Sequence, residues 1–132
     1  MDIILFYPKP WPGETMSGRV PFSLVHLYSY LKGSDFKVKI VDQRLSPDIP
    51  TVLEELGNDI LCFGISSFTG VQIQYGLDIS KHLRNKYPDI PIVWGGWHPS
   101  LMAEQTLDHP LVDIVVRRQG EETFKQLLYA LR

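Results

Sequence analysis

The sequence predicts an α/β fold in which helices cover both faces of a sheet of five parallel strands. Short apolar runs rich in β-branched residues are bounded by Pro, Gly and Asp, and longer stretches of helical periodicity separate them. The length of 132 residues, with 44% hydrophobic and 21% charged residues, suits one domain with an ordinary core. We therefore expect a single domain over residues 1–132 and exclude intrinsic disorder.

Five apolar runs are predicted to be strands. Four of them are nearly continuously apolar, which is typical of strands that are covered on both faces. In the second run lysines alternate with apolar residues, so this strand is expected at an edge of the sheet. The predicted strands are Ile3 to Tyr7, Lys37 to Asp42, Ile60 to Ile65, Ile92 to Trp94 and Ile114 to Val116.

Five segments of helical period are predicted to be helices. The two longest place apolar residues three and four positions apart, and Pro88 ends the longer of them. Ser100 is a candidate cap for the fourth helix, and Glu121 and Glu122 suit the positive end of the last helix dipole. The predicted helices are Phe22 to Lys32, Ile49 to Leu56, Val71 to Tyr87, Ser100 to Leu107 and Glu121 to Leu131.

The order of the strands follows from the handedness of their connections. Right-handed crossovers allow a flavodoxin-like order 2-1-3-4-5 or a Rossmann variant, and an edge position for the second strand favours the former. The prediction is therefore a flavodoxin-like, doubly wound sheet in three layers, α/β/α. In such sheets ligands bind outside the carboxyl ends of the strands, which directs attention to the loops that follow them.

Charge and cysteine content exclude several classes of function. The net charge of −2 and the pI near 6.0 provide no basic surface for a phosphate backbone, so nucleic acid is excluded as a partner. The single cysteine, Cys62, excludes a disulfide framework and a multi-cysteine cluster within this chain, and suits a reducing cytoplasm. The apolar run at the start is far shorter than the roughly 20 residues that span a bilayer, so a membrane is excluded as well.

The loop after the fourth strand is the most informative segment for function. It runs from Gly95 to Ser100, and its two adjacent glycines permit either a tight turn or the close approach of a flat, bulky ligand to the backbone. Trp97 and His98 follow the glycines directly. Large side chains at the edge where ligands bind favour the interpretation as a binding loop.

Other loops at the same edge offer hydroxyl groups and a further glycine. Ser66, Ser67 and Thr69 follow the third strand, where their hydroxyls can cap the next helix or bond to a ligand nitrogen. Gly120 precedes the last helix and lies level with the other loops. The longest irregular stretch, Pro8 to Pro21, follows the first strand.

Several familiar sites are missing from the sequence. No Gly-x-Gly-x-x-Gly or Walker motif is present, so binding of an ordinary dinucleotide or nucleoside triphosphate has no support. A phosphorylated signalling receiver needs acidic residues after the first strand and an Asp at the end of the third, and this chain has neither. Without a Gly-x-Ser-x-Gly elbow we assign no catalytic residue to this chain.

The chain as a whole resembles the cobalamin-binding domain found at the amino end of many radical S-adenosylmethionine enzymes. Two segments resemble family motifs most closely: VWGGWHPS at 93–100 matches a GGxHPT/S loop, and VDIVVRRQGEE at 112–122 matches a DhVVRGEGE pattern, in which h is a hydrophobic residue. Three further segments agree with the family's first helix, second strand and third strand: PFSLVHLYSYL at 21–31, FKVKIVD at 36–42 and DILCFGIS at 59–66. Each pattern is weak alone, but their order and spacing are fairly specific.

The resemblance implies a cobalamin site made from the loops at the carboxyl edge. Four residues, Ser66, Ser67, Phe68 and Thr69, would line the slot for the nucleotide tail, and Gly95 and Gly96 would border it. The corrin ring or its amide side chains would meet Trp97, His98, Gln119, Gly120 and Glu121.

The resemblance also bears on the lower face of the cobalt. The Asp-x-His-x-x-Gly motif that supplies a histidine ligand in the methionine-synthase type is missing here, and residues 9–14 contain no histidine. Pro10 or Trp11 would instead cover the lower face, with His98 as the rival cobalt ligand.

The resemblance further implies that the reaction takes place only with a second domain. In the related enzymes the next domain binds S-adenosylmethionine and holds a [4Fe-4S] cluster through three cysteines, which this chain lacks. We expect this chain to be the amino-terminal part of a larger methyltransferase-type enzyme, whose carboxyl-terminal radical S-adenosylmethionine domain is its partner. The alternatives are a flavodoxin-like protein that binds FMN and an interaction domain that has kept the fold without a ligand.

Overall fold

Five parallel strands form one sheet in the order β2-β1-β3-β4-β5, as predicted. The computed structural model describes residues 1–10, 12, 20–45, 48–118 and 120–132. Each strand begins and ends within one residue of its predicted bounds. The strands are β1 Asp2–Tyr7, β2 Lys37–Asp42, β3 Ile60–Ser66, β4 Ile92–Gly95 and β5 Ile114–Val115.

The described helices fill the connections between the strands and follow the last one. Four of the five predicted helices are present within one residue of their predicted ends. None of the described helices is long and apolar enough to cross a bilayer. The helices are α1 Phe22–Leu31, α2 Ile49–Glu55, α3 Val71–Lys86, α4 Trp97–Leu101, α5 Ala103–Leu107 and α6 Glu121–Leu131.

The prediction of one helix from Ser100 to Leu107 is wrong. Two short helices occupy this region, and Met102 separates them with φ −124° and ψ 49°, outside the helical range. The first helix begins three residues earlier than predicted because Gly96, with φ 105°, turns the chain directly from β4 into α4. Ser100 therefore lies inside α4 and is not its cap.

Alternate residues of the central strands pack against helices on opposite faces. Ile4 and Phe6 of β1 belong to the core beneath α2 and α3, whereas Ile3 and Leu5 belong to the core beneath α1 and α6. This division confirms the three-layer α/β/α architecture. The second strand lies at an edge, as predicted, with its two lysines exposed.

Candidate cofactor-binding site

A cavity of about 720 Å³ opens at the carboxyl edge of the sheet, between α1 and α6. Its volume lies within the range of roughly 300–1,000 Å³ that is usual for sites of small molecules and cofactors. We call it the rim cavity. It is lined by Leu5, Ser23, Leu24, His26, Leu27, Gly64, Ile65, Ser66, Val93, Gly95, Gly96, Trp97, Ser100, Leu101, Val116, Arg117, Arg118, Gly120, Glu121 and Phe124.

Small residues on two neighbouring strands form the floor of the rim cavity. Gly64 and Ser66 of β3, and Val93 and Gly95 of β4, occupy alternate positions and therefore face the same side of the sheet. A Cβ atom added at Gly64 would lie 2.6 Å from Cδ2 of Leu5, so this position is closed to a side chain unless Leu5 moves. Leu5 thus fills the space beside Gly64, whereas Ser66 and Gly95 leave the floor open because their side chains are short or absent.

Gly96 fixes the contact between the two loops that border the cavity. A Cβ atom at this position would lie 2.9 Å from the Ser67 carbonyl oxygen and 3.0 Å from the Ser67 nitrogen. The Ser67 N–H donates to the Gly95 carbonyl at 3.0 Å, and the His98 N–H donates to the Ser67 carbonyl at 3.1 Å. The loops after β3 and β4 are therefore joined by their backbones at a distance that only glycine permits.

Most hydroxyl groups of the loop after β3 are engaged within the loops. The Ser67 hydroxyl donates to the Phe68 carbonyl at 2.8 Å, and Thr69 Oγ1 lies 3.2 Å from Nδ1 of His98. The alternative in which these hydroxyls cap the next helix is wrong, since Gly70 occupies the N-cap of α3 and no side chain caps it. Ser66, the last residue of β3, lines the rim cavity, whereas Ser67, Phe68 and Thr69 of the loop do not.

A segment carrying two arginines closes one side of the cavity mouth. Arg117 and Arg118 follow β5, and the backbone N–H of Arg118 donates to the Ser100 hydroxyl of α4 at 2.7 Å. Arg118 has φ 62°, which makes it the one described non-glycine residue with positive φ. Gly120 and Glu121 continue the wall into α6.

The cavity brings together part of the predicted site. The predicted residues that line it are Ser66, Gly95, Gly96, Trp97, Gly120 and Glu121. Ser67, Phe68 and Thr69 lie in the adjoining loop outside the lining, and His98 lines a separate cavity of about 220 Å³. Pro10 is described but does not line the rim cavity, whereas Trp11 and Gln119 lie outside the described residues.

Sequence reasoning missed the contribution of α1. Ser23, Leu24, His26 and Leu27 form the wall opposite α6, although the sequence analysis treated this helix only as packing on the sheet. A signal was available, because the helix that returns from the carboxyl end of β1 places its first turns at the edge where ligands bind. Among the described residues, no three or more His, Cys, Asp and Glu side chains are grouped to hold a metal ion.

Cys62 lies beneath this site but takes no part in it. Its side chain is buried in β3, and burial raises the pKa of its thiol to about 12. At neutral pH the thiol is therefore protonated and unreactive.

The fold and the site together define a doubly wound α/β domain with a cofactor-sized cavity at the carboxyl ends of its strands. Comparison with known families is more specific. Residues 20–128 match the model of the B12 binding domain, and the chain belongs to this family.

The chain is also similar over nearly its whole length to individual proteins. The chain is 31% identical to the uncharacterized methyltransferase PH0819 of Pyrococcus horikoshii over 142 residues, which cover 99% of this chain and 29% of PH0819. The cobalamin-dependent S-adenosylmethionine radical enzyme OxsB, with aqua-cobalamin and S-adenosylmethionine bound, superposes with a TM-score of 0.71 at 24% identity, over 98% of this chain and 18% of OxsB. The response regulator RcsB of Salmonella typhimurium superposes with a TM-score of 0.62 at 18% identity, over 99% of this chain and 59% of RcsB.

The residues of the rim cavity fit the nucleotide tail of cobalamin. The flat base of the tail needs a deep apolar slot, and Leu5, Leu24 and Phe124 supply apolar walls above a floor of small residues. Ser66 places a hydroxyl in the lining, where it can bond to a nitrogen of the base. The bulky corrin requires an open mouth, and the cavity opens to solvent at the edge of the sheet.

Proposed function

We propose that this domain binds cobalamin with its nucleotide tail in the rim cavity and presents the corrin to a separate catalytic domain. The observation that carries the proposal is the cavity of about 720 Å³ beside β3 and β4, where the short side chain of Ser66 and the absent one of Gly95 leave the end of the sheet open. The bound cobalamin would supply the cobalt-centred reactivity, and the residues of this chain would hold and orient it.

We infer that the catalytic partner is a radical S-adenosylmethionine domain of the same polypeptide, of the methyltransferase type. The chain spans about 29% of PH0819 and 18% of OxsB, so these proteins contain much more than this domain. Exposed apolar side chains at the cavity mouth support a partner surface, since Trp97 is 67% and Leu101 69% exposed. The [4Fe-4S] cluster and S-adenosylmethionine would belong to that partner, and the buried free Cys62 suits a cytoplasmic location.

The proposal leaves the lower face of the cobalt to a residue other than histidine. His98 Nδ1 lies 3.2 Å from the Thr69 hydroxyl, and the side chain lines the separate smaller cavity. Both observations argue against His98 as a cobalt ligand. Pro10 or Trp11 remains the proposed cover of the lower face.

Titration of the domain with hydroxocobalamin tests the proposal. We expect saturable binding, followed by the visible spectrum and by calorimetry, and no comparable binding of FMN. Gly95→Leu should abolish binding, because Gly95 faces the cavity and its nearest neighbour beyond a new Cβ is the Val116 carbonyl at an ordinary 3.7 Å. The side chain would thus fill the slot without a backbone clash.

Gly57→Leu is the matched control. This glycine lies at the opposite edge of the sheet, before β3, and a Cβ there meets nothing within 4 Å. Binding equal to that of the wild type is expected for this variant. Failure of the wild-type domain to bind hydroxocobalamin, or equal binding by Gly95→Leu, would overturn the proposal.

A further inference from the structure

Two arginines at the mouth of the rim cavity have no partner in the described part of the chain. The Arg117 and Arg118 side chains are exposed, and neither guanidinium forms a hydrogen bond or an ion pair with a described residue. The other described arginines, Arg44, Arg84 and Arg132, each pair with an aspartate. The cavity mouth therefore carries cationic groups whose hydrogen-bond donors are available to a ligand.

The backbone holds one of these arginines in an unusual conformation. Arg118 has φ 62°, in the left-handed region that residues other than glycine rarely adopt. Its N–H donates to the Ser100 hydroxyl at 2.7 Å, so the arginine segment is tied to α4 across the cavity mouth. Such conformations persist where the surrounding structure fixes them, often beside a ligand.

The local charge is opposite in sign to that of the whole chain. The chain has a net charge of −2. The described residues that line the rim cavity have an excess of one positive charge, since they include two arginines and one carboxylate, Glu121, and His26 is counted as neutral. The amino end of α6, an 11-residue helix, lies in the same wall and adds unpaired backbone N–H groups to it. The Glu121 carboxylate offsets part of this positive potential, whereas Arg117 and Arg118 add to it.

We infer that Arg117 and Arg118 bind the phosphodiester of the cobalamin nucleotide tail and thereby select corrinoids that carry a phosphate. This inference rests on the proposed function. The phosphodiester is the one anionic group of the tail, and it joins the corrin side chain to the nucleotide. With the base inside the cavity and the corrin outside, the phosphodiester lies at the mouth, where the arginines are. Guanidinium groups bind phosphate oxygens through charge-assisted hydrogen bonds, which neutral groups match poorly.

The experiment compares two corrinoids that differ by the phosphate alone, together with the complete cofactor. Cobinamide has neither phosphate nor base, cobinamide phosphate adds the phosphate, and hydroxocobalamin has the complete tail. Dissociation constants are measured by spectral titration for the wild type, for Arg117→Gln with Arg118→Gly, and for the control Arg132→Gln. The glycine at position 118 keeps the left-handed backbone accessible, and Arg132 carries the same charge at the far end of α6.

We expect the wild type and Arg132→Gln to bind cobinamide phosphate on the order of tenfold or more tightly than cobinamide. In the double variant this ratio should fall close to one, with the affinity for cobinamide unchanged and a circular dichroism spectrum like that of the wild type. This inference alone would be overturned if the wild type bound hydroxocobalamin but the ratio of the affinities for cobinamide phosphate and cobinamide were the same in the wild type and the double variant. Absence of hydroxocobalamin binding to the wild type would overturn the proposed function together with it.

Discussion

Gly96 combines two constraints that no other residue can meet together. Its φ of 105° disfavours any side chain, and a Cβ would approach the Ser67 backbone to 2.9 Å. With ψ −165° its backbone lies in a region that is essentially restricted to glycine, so we predict that Gly96→Ala lowers the free energy of unfolding by at least about 1–3 kcal/mol. Urea denaturation measures this change. Gly57→Ala, with ordinary φ and open space around its Cβ, should change stability by less, and an equal loss in both variants would contradict the prediction.

At the scale of single residues, the sequence predicted the positions of the glycines better than the roles of the hydroxyl groups. Gly95 and Gly96 lie in the cavity wall because the end of a parallel strand fixes where the next residues go. Ser67 and Thr69 do not line the cavity, since their hydroxyls bond to Phe68 and His98 instead. A hydroxyl rotates toward whichever acceptor is near, and that neighbour depends on a loop structure that spacing alone does not define.

A hydrogen bond joins the two helices that form the cavity walls. The Tyr30 hydroxyl of α1 donates a hydrogen bond to the Glu122 carboxylate of α6. This bond is the main reason that the pKa of Glu122 lies below its ordinary 4.5, and it also raises the pKa of Tyr30 above its ordinary 10.0. Both side chains are exposed to solvent, so the contact makes only a small contribution to stability.

The directions of these shifts predict a pH dependence. A carboxyl whose pKa is lowered by folding stabilises the native state above its unfolded pKa, and this stabilisation is lost as the pH falls through the native value. Tyr30→Phe should therefore reduce the free energy of unfolding at pH 7 by more than at pH 3, as measured with urea. Tyr28→Phe, equally exposed on the same helix at 43%, is the control and should show no such difference. A loss in Tyr30→Phe that is the same at both pH values would rule out this role.

At the scale of elements, the strands and long helices were predictable because their hydrophobic periods continue over several residues. The region from Trp97 to Leu107 was not, since its two helices have only five residues each and no sustained period. Its start depends on the left-handed turn at Gly96, and its break at Met102 has no marker such as proline or glycine. Short elements take their bounds from tertiary contacts more than from local preference.

On the scale of the whole molecule, the fold alone does not define the function. Response regulators share this architecture, yet the acidic residues that a receiver needs after the first strand and at the end of the third are replaced here by Pro8, Lys9 and Ser66. This chain is distinguished by the residues at the carboxyl edge of its sheet. Small residues open a slot there, and the surrounding loops carry exposed apolar side chains and arginines. The family match over residues 20–128 includes the loops after β3, β4 and β5 that form this edge.

The exposed mouth of the cavity predicts how affinity depends on the partner domain. Trp97 and Leu101 are largely exposed in this domain, and a catalytic domain that covers the corrin would also cover them. Burial of about 60 Å² of additional apolar surface corresponds to about 1.4 kcal/mol, or roughly tenfold in affinity. We therefore expect hydroxocobalamin to bind on the order of tenfold more tightly to a polypeptide that joins this domain to a radical S-adenosylmethionine domain than to the domain alone.

Spectra of the joined polypeptide, reconstituted with iron and sulfide without oxygen, test the same arrangement. Cobalamin and [4Fe-4S] absorbance should both be present, and Gly95→Leu should remove only the cobalamin bands. The cluster should remain because Cys62 is the single cysteine of this chain and is buried, so the cluster ligands must come from the partner. An affinity for hydroxocobalamin equal to that of the isolated domain would show that the mouth of the rim cavity does not face the catalytic domain.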